Sequence, residues 1–127
     1  MSIEKIATDK APAAIGPYSQ ATVVNGLVFT SGQIPLDLTG NVVGTDICEQ
    51  AEQVMKNLSA VLSAAGSSFE CAVKTTCFLA DMADFAAFNA VYAKYFTSCP
   101  SRSCVAVKTL PRGVLCEVEV IAELNKN

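Results

Sequence analysis

The chain contains no histidine. That absence removes the Ser-His-Asp triad, the Cys-His pair and the histidine general base from the chemistry open to it. No CxxC occurs either, and no histidine can complete a mixed zinc site. The six cysteines, Cys48, Cys71, Cys77, Cys99, Cys104 and Cys116, therefore do not read as metal ligands. Charge is scarce, at 17% of residues, and no apolar run approaches the ~20 residues of a membrane span. A basic excess is also missing: nine Lys and Arg stand against twelve Asp and Glu, for a net charge of -3. The basic residues are scattered, which argues against a nucleic-acid partner. The N-terminal MSIEKIATDKAPAA has no signal-peptide core and is not Arg-rich, so a cytoplasmic location is the default expectation. In that compartment a disulfide framework is not expected, and most of the cysteines read as buried small apolar residues.

What is present is apolar: 51% of 127 residues, enough for one domain over 1–127 with a real core. The excess suits a covered subunit interface. Residues 3–6 read as a short edge strand and 10–17 as a loop. Residues 18–24 and 27–33 flank Asn25-Gly26, a strong hairpin signal that sets Thr22 opposite Phe29 and Gln20 opposite Ser31. Tyr18 and Ser31 then share a face, and Gly32 inside an apolar strand points to a bulge or a close approach to its backbone. Asp46 and Glu49 make a capping pattern before Ile47, Ala51, Val54, Leu58, Val61, Leu62 and Ala65 at helical spacing, with Gly66 as the stop. Residues 70–80 read as a strand with Cys71, Val73, Thr75, Cys77 and Leu79 on one face. A second helix, capped by Asp81 or Asp84, ends near Phe96. Its aromatic stripe (Phe85, Phe88, Tyr92, Tyr95, Phe96) reads as core, with Asn89 off the stripe, solvated or at an edge.

The stretch 100–124 reads as two strands, 101–108 and 114–124, joined through Pro111-Arg112-Gly113. Matching their faces as a hairpin sets Glu117 near Cys104 and Glu119 near Arg102. That face is a solvated surface with a cross-strand ion pair, or it is covered. Ala106, Leu115 and Ile121 share it and favour cover, and a covered arginine requires an acidic partner or an acidic ligand. The order is β-β-β-α-β-α-β-β, an α+β mixed sheet with both helices on one face. The opposite face, carrying Arg102, Cys104 and Glu117, is then too apolar to stay bare, and self-association covers it.

Several segments together resemble the RidA (YjgF) family of imine deaminases: Gly16-Pro17-Tyr18-Ser19-Gln20-Ala21, Thr30-Ser31-Gly32-Gln33-Ile34-Pro35, Phe88-Asn89-Ala90-Val91-Tyr92, and Pro100-Ser101-Arg102-Ser103-Cys104-Val105. Leu110-Pro111-Arg112-Gly113 with Glu117-Val118-Glu119 completes the set. The resemblance implies a chorismate-mutase-like fold and a homotrimer with a central barrel of sheets. It also implies three inter-subunit sites and hydrolysis of 2-imino or 2-enamino acids to 2-oxo acids and ammonia, with no cofactor. Family branches without the arginine lack the activity, and this chain keeps Arg102.

The residues match that chemistry. Arg102 can take a substrate carboxylate in two parallel hydrogen bonds. Glu117 is the candidate to orient or deprotonate the attacking water, with Glu119 behind it. The candidate substrate-binding set is Tyr18, Ser31, Gly32, Asn89, Arg102 and Cys104, with Cys104 as a pocket wall rather than a nucleophile. Two other readings compete: an endoribonuclease or translation inhibitor, and a non-catalytic 2-oxo-acid binder or chaperone-like protein.

Overall fold

Asn25 and Gly26 take φ of 55° and 77°, the left-handed pair that a two-residue hairpin turn requires. They join β2 (Ala21–Val24) to β3 (Leu27–Thr30), with Thr22 opposite Phe29 as the sequence predicts. In the computed structural model, which describes residues 2–125, β1 (Glu4–Ile6) extends this hairpin along its outer edge. Helix α1 (Ile47–Ala65) starts where Asp46 Oδ1 accepts the Glu49 N–H at 2.8 Å and Glu49 Oε1 accepts the Thr45 N–H at 2.9 Å. Gly66, at φ 85°, closes it. The strand β4 (Ala72–Leu79), α2 (Phe85–Tyr95), β5 (Ser101–Ala106) and β6 (Cys116–Glu123) follow, in the expected order.

The strands form one sheet ordered β1-β2-β3-β6-β4-β5, antiparallel except for the parallel β4–β5 pair. Both helices cover one face. Leu58, Leu62 and Phe88 pack there against Cys77, Leu79, Val118 and Val120 in the core. Each large side chain so buried contributes about 1.5–3 kcal/mol, so this face holds the protomer together. Among the described residues no helix is long and apolar enough to cross a membrane.

Three expectations need correction. First, β5 and β6 are not a hairpin: β4 lies between them. The most apolar face in the chain, Cys116, Val118, Val120 and Ala122, is 0–1% exposed, and β6 reaches that burial by pairing on both edges. Alternation matched the faces of β5 and β6 but cannot say which strand is whose neighbour. The parallel register instead sets Arg102 beside Thr75 and Cys104 beside Cys77, on the helix-covered face. Glu117 and Glu119 pair with Phe78 and Thr76 on the open face. The Arg102–Glu119 ion pair therefore does not exist, and Val105 lies on the open face, 46% exposed. Second, Val73 faces outward, because the β4–β6 register slips between Ala72 and Lys74. Third, only Cys77 and Cys116 are buried; Cys71 and Cys104 are half-buried, Cys48 and Cys99 exposed, and all six are free thiols.

Candidate active site

The predicted site residues fall into two groups on opposite faces of the sheet. The first is built on β5 and α2. Phe85, Asn89 and Tyr92 recur at helical spacing, so they share one flank of α2. Arg102 projects from β5 against that flank. Its Nη1 donates to Asn89 Oδ1 at 2.7 Å. Its Cζ lies 4.7 Å from the Tyr92 ring centroid and 5.5 Å from that of Phe85. Among the described residues no carboxylate pairs with this half-buried guanidinium. A shallow cavity of about 410 Å³ opens beside it, lined by Asn89, Tyr92, Cys99 and Arg102. Cys104 stands next along the strand. Burial pushes its thiol up, and the nearby Arg102 charge only partly opposes this. A thiol held protonated is a poor nucleophile, consistent with a pocket wall.

The second group lies where β3 leaves its ladder with β6. From Phe29 to Gln33 the chain takes four steps while its partner takes three, from Ile121 to Val118. One residue is therefore extra, and the bulge falls at residues 30–32. Thr30 Oγ1 fills the gap by accepting the Val120 N–H at 3.0 Å. The bulge brings Gly32 against Glu117. A β-carbon on Gly32 would come within 2.8 Å of the Glu117 Cδ and 3.0 Å of its Cγ. Both alternatives read from the sequence at Gly32, bulge and close approach, are thus realised together.

Glu117 is half-buried and makes no hydrogen bond or ion pair with another described residue. Burial raises its carboxyl above the ordinary value, and repulsion from Glu119 adds to the effect. A cavity of about 650 Å³ opens in front, lined by Tyr18, Ser31, Gly32, Arg112, Glu117 and Glu119 among others. The Ser31 hydroxyl donates to the Ser19 carbonyl at 2.6 Å, and its N–H to the Gln20 carbonyl at 2.9 Å. Ser31 thus shapes the loop, and among the described residues the Gly32 N–H finds no acceptor and is a backbone donor left over. Among the described residues no cluster of His, Cys, Asp and Glu can hold a metal ion.

Sequence reasoning missed two features. Tyr92 and Phe85 are core by spacing, yet their faces also carry Arg102. Arg112, held at φ 62° and donating to the Gly40 carbonyl at 2.9 Å, lines the second cavity. The Pro-Arg-Gly turn signal marked its place without marking its direction.

The model of the family described as Endoribonuclease L-PSP matches residues 8–124. Reactive Intermediate Deaminase A, chloroplastic, of Arabidopsis thaliana is 48% identical over 123 residues, spanning 95% of this chain and 66% of that protein. The chain belongs to the RidA (YjgF) family. A Lactococcus lactis member that carries a regulator's name, AldR, is 57% identical over 121 residues, with 94% of this chain and 96% of that one covered. The crystal structure of Escherichia coli TdcF with bound serine matches the fold at a TM-score of 0.90 and 42% identity, covering 96% and 99% of the two chains. The family's names span deaminase, regulator and endoribonuclease, so membership does not by itself name the reaction. One member is chloroplastic by name, so membership does not set the compartment either.

Proposed function

We propose that this protein hydrolyses 2-imino and 2-enamino acids, such as 2-aminoacrylate, to 2-oxo acids and ammonia, at sites shared between the subunits of a homotrimer. One observation carries the reading: Arg102 is half-buried, braced by Asn89 and two aromatic faces, and has no carboxylate partner among the described residues. Such a guanidinium favours an acidic ligand. The bound serine named for TdcF and the deaminase name of the Arabidopsis relative support a small amino-acid-derived carboxylate.

The reaction is a hydrolysis with no change in electron count. An enamine first takes a proton from solvent on its terminal carbon and becomes the protonated imine. Water adds to the imine carbon, giving one proton to Glu117. Glu117 returns that proton to nitrogen and takes the hydroxyl proton as the C–N bond breaks and the C=O forms; ammonia leaves, and the carboxyl gives its proton back to solvent. A half-buried carboxylate with a raised pKa suits both directions of transfer. The Gly32 N–H and the Tyr18 hydroxyl, whose residues line the same cavity as Glu117, are the candidate donors to steady the water or the developing oxygen.

Arg102 and Glu117 lie on opposite faces of one sheet, so a single chain cannot bring them to one substrate. The open face, with Phe29 and Val105 at 36% and 46% exposure and Phe78 and Ile121 half-buried, suits burial against other subunits. In the proposed trimer Arg102 of one subunit meets Tyr18 and Glu117 across a boundary. RNA cleavage is the less favourable reading, because Glu117 and Glu119 line the cavity and repel a phosphate backbone.

The test is release of 2-oxo acid and ammonia from freshly generated 2-aminoacrylate, measured against the uncatalysed rate. Arg102→Ala is expected to lose about 100-fold or more in kcat/KM, and Arg102→Lys nearly as much, because an ammonium cannot form the planar fork. Full activity in folded Arg102→Ala would remove the anchor. Wild-type protein that binds the 2-oxo acid without accelerating hydrolysis would instead be a non-catalytic binder.

A further inference from the structure

Arg102 is a cation stripped of part of its water, and something must compensate it. A carboxylate could do so, but it would occupy the N–H fork that a substrate carboxylate needs. Aromatic faces attract the charge while accepting none of its five in-plane N–H groups. Here one N–H goes to Asn89 and the guanidinium rests over Tyr92 and Phe85, with Tyr92 the nearer at 4.7 Å.

Tyr92 is itself fixed. It is 8% exposed, and Phe96 stacks on it at 4.6 Å between centroids. Its hydroxyl shares a 2.7 Å hydrogen bond with Oγ1 of the fully buried Thr75. Thr75 is the β4 residue directly beside Arg102 in the parallel ladder. The ring is thus tied to the same rung that carries the guanidinium. Burial raises the phenol's pKa, so the hydroxyl stays protonated at working pH.

We propose that Tyr92, seated by Thr75, is a positioning residue whose ring holds the Arg102 guanidinium flat while leaving its outer fork open to the substrate carboxylate. The proposal rests on the imine-hydrolase reading above and extends it to a residue that does not touch substrate.

The test uses Tyr92→Phe, Tyr92→Leu and Thr75→Val, with Tyr92→Leu also placed in the Arg102→Ala background. Three quantities are read: the Arg102 Nε–H NMR resonance, 2-oxobutanoate affinity by calorimetry, and KM and kcat for the imine. In wild-type protein the ring current should displace the Arg102 resonance upfield. Tyr92→Phe should keep that shift, and Tyr92→Leu should leave only the smaller part owed to Phe85. Tyr92→Leu should weaken 2-oxobutanoate binding and raise KM by about ten-fold each, with kcat within about two-fold, because ground state and transition state lose the same contact. In the Arg102→Ala background the same change should alter affinity no further. Thr75→Val, which keeps the packing volume and frees the hydroxyl, should raise KM by about three-fold and serves if Tyr92→Leu does not fold. An unshifted Arg102 resonance in wild-type protein, or an equal loss of affinity from Tyr92→Leu in both backgrounds, overturns the proposal. A shifted resonance with Tyr92-dependent binding but no imine turnover supports it while retiring the hydrolase reading.

Discussion

Gly32 is a glycine for reasons of space. Its φ lies outside the left-handed region, so alanine fits the backbone, but a β-carbon would enter the volume held by the Glu117 carboxylate. The expected outcome of Gly32→Ala is a folded protein whose Glu117 side chain has swung aside. Thermal melts should move by only a few degrees, and kcat should fall about 100-fold or more, the lower end of what a positioned acid-base group contributes. An alanine variant with wild-type kcat would mean that Glu117 does not work from this position. The sequence showed that something approaches Gly32; it could not show what. Glu117 is 85 positions away, and only the bulge between Phe29 and Gln33 brings the two together.

At the scale of elements, the legible features were the local ones. The Asn25-Gly26 turn, the Asp46 cap, the Gly66 stop and the α1 stripe each depend on residues a few positions apart. Strand partnership does not. The chain steps over β4 between β5 and β6, and alternation within either strand is blind to that crossover. The hairpin reading therefore sets Arg102 on the wrong face, while the expectation of an acidic partner or ligand rests on the residue type and its half-covered place and does not depend on which face it is. The two helices are joined by Lys94 and Tyr95 of α2, which both donate to the Glu52 carboxylate of α1. The Lys94 hydrogen bond, then that of Tyr95, lowers the Glu52 pKa below its ordinary 4.5. A depressed folded-state pKa contributes stability that is present above 4.5 and is lost as pH falls through the folded value. The side chains are 58% and 37% exposed, so solvent screening holds the contribution below about 1 kcal/mol. Glu52→Gln should lower the melting temperature by up to a few degrees at pH 7, less in high salt, with the two melts converging at acid pH. A gap that persists undiminished at pH 3 would show that the clamp is not ionic.

At the scale of the whole molecule, the arrangement of charges decides what assembly must do. Among the described residues neither Arg102 nor Glu117 has a partner of opposite charge, and the two stand on opposite faces of a sheet. If each working site joins the Arg102 face of one subunit to the Glu117 face of the next, Arg102→Ala and Glu117→Gln damage different halves of every site. Each variant alone should be inactive. Mixed by denaturation and refolding, they should form hybrid trimers. Every hybrid, whether two-to-one or one-to-two, has a single boundary at which an intact Arg102 meets an intact Glu117. Random mixing of equal amounts makes about three quarters of the trimers hybrid, each with one of three sites restored, so about one quarter of wild-type activity should return. Sedimentation of the same samples should give a trimer. A site confined to one chain predicts no recovery at any mixing ratio, and a monomer at micromolar concentration would sink the shared site and the trimer together.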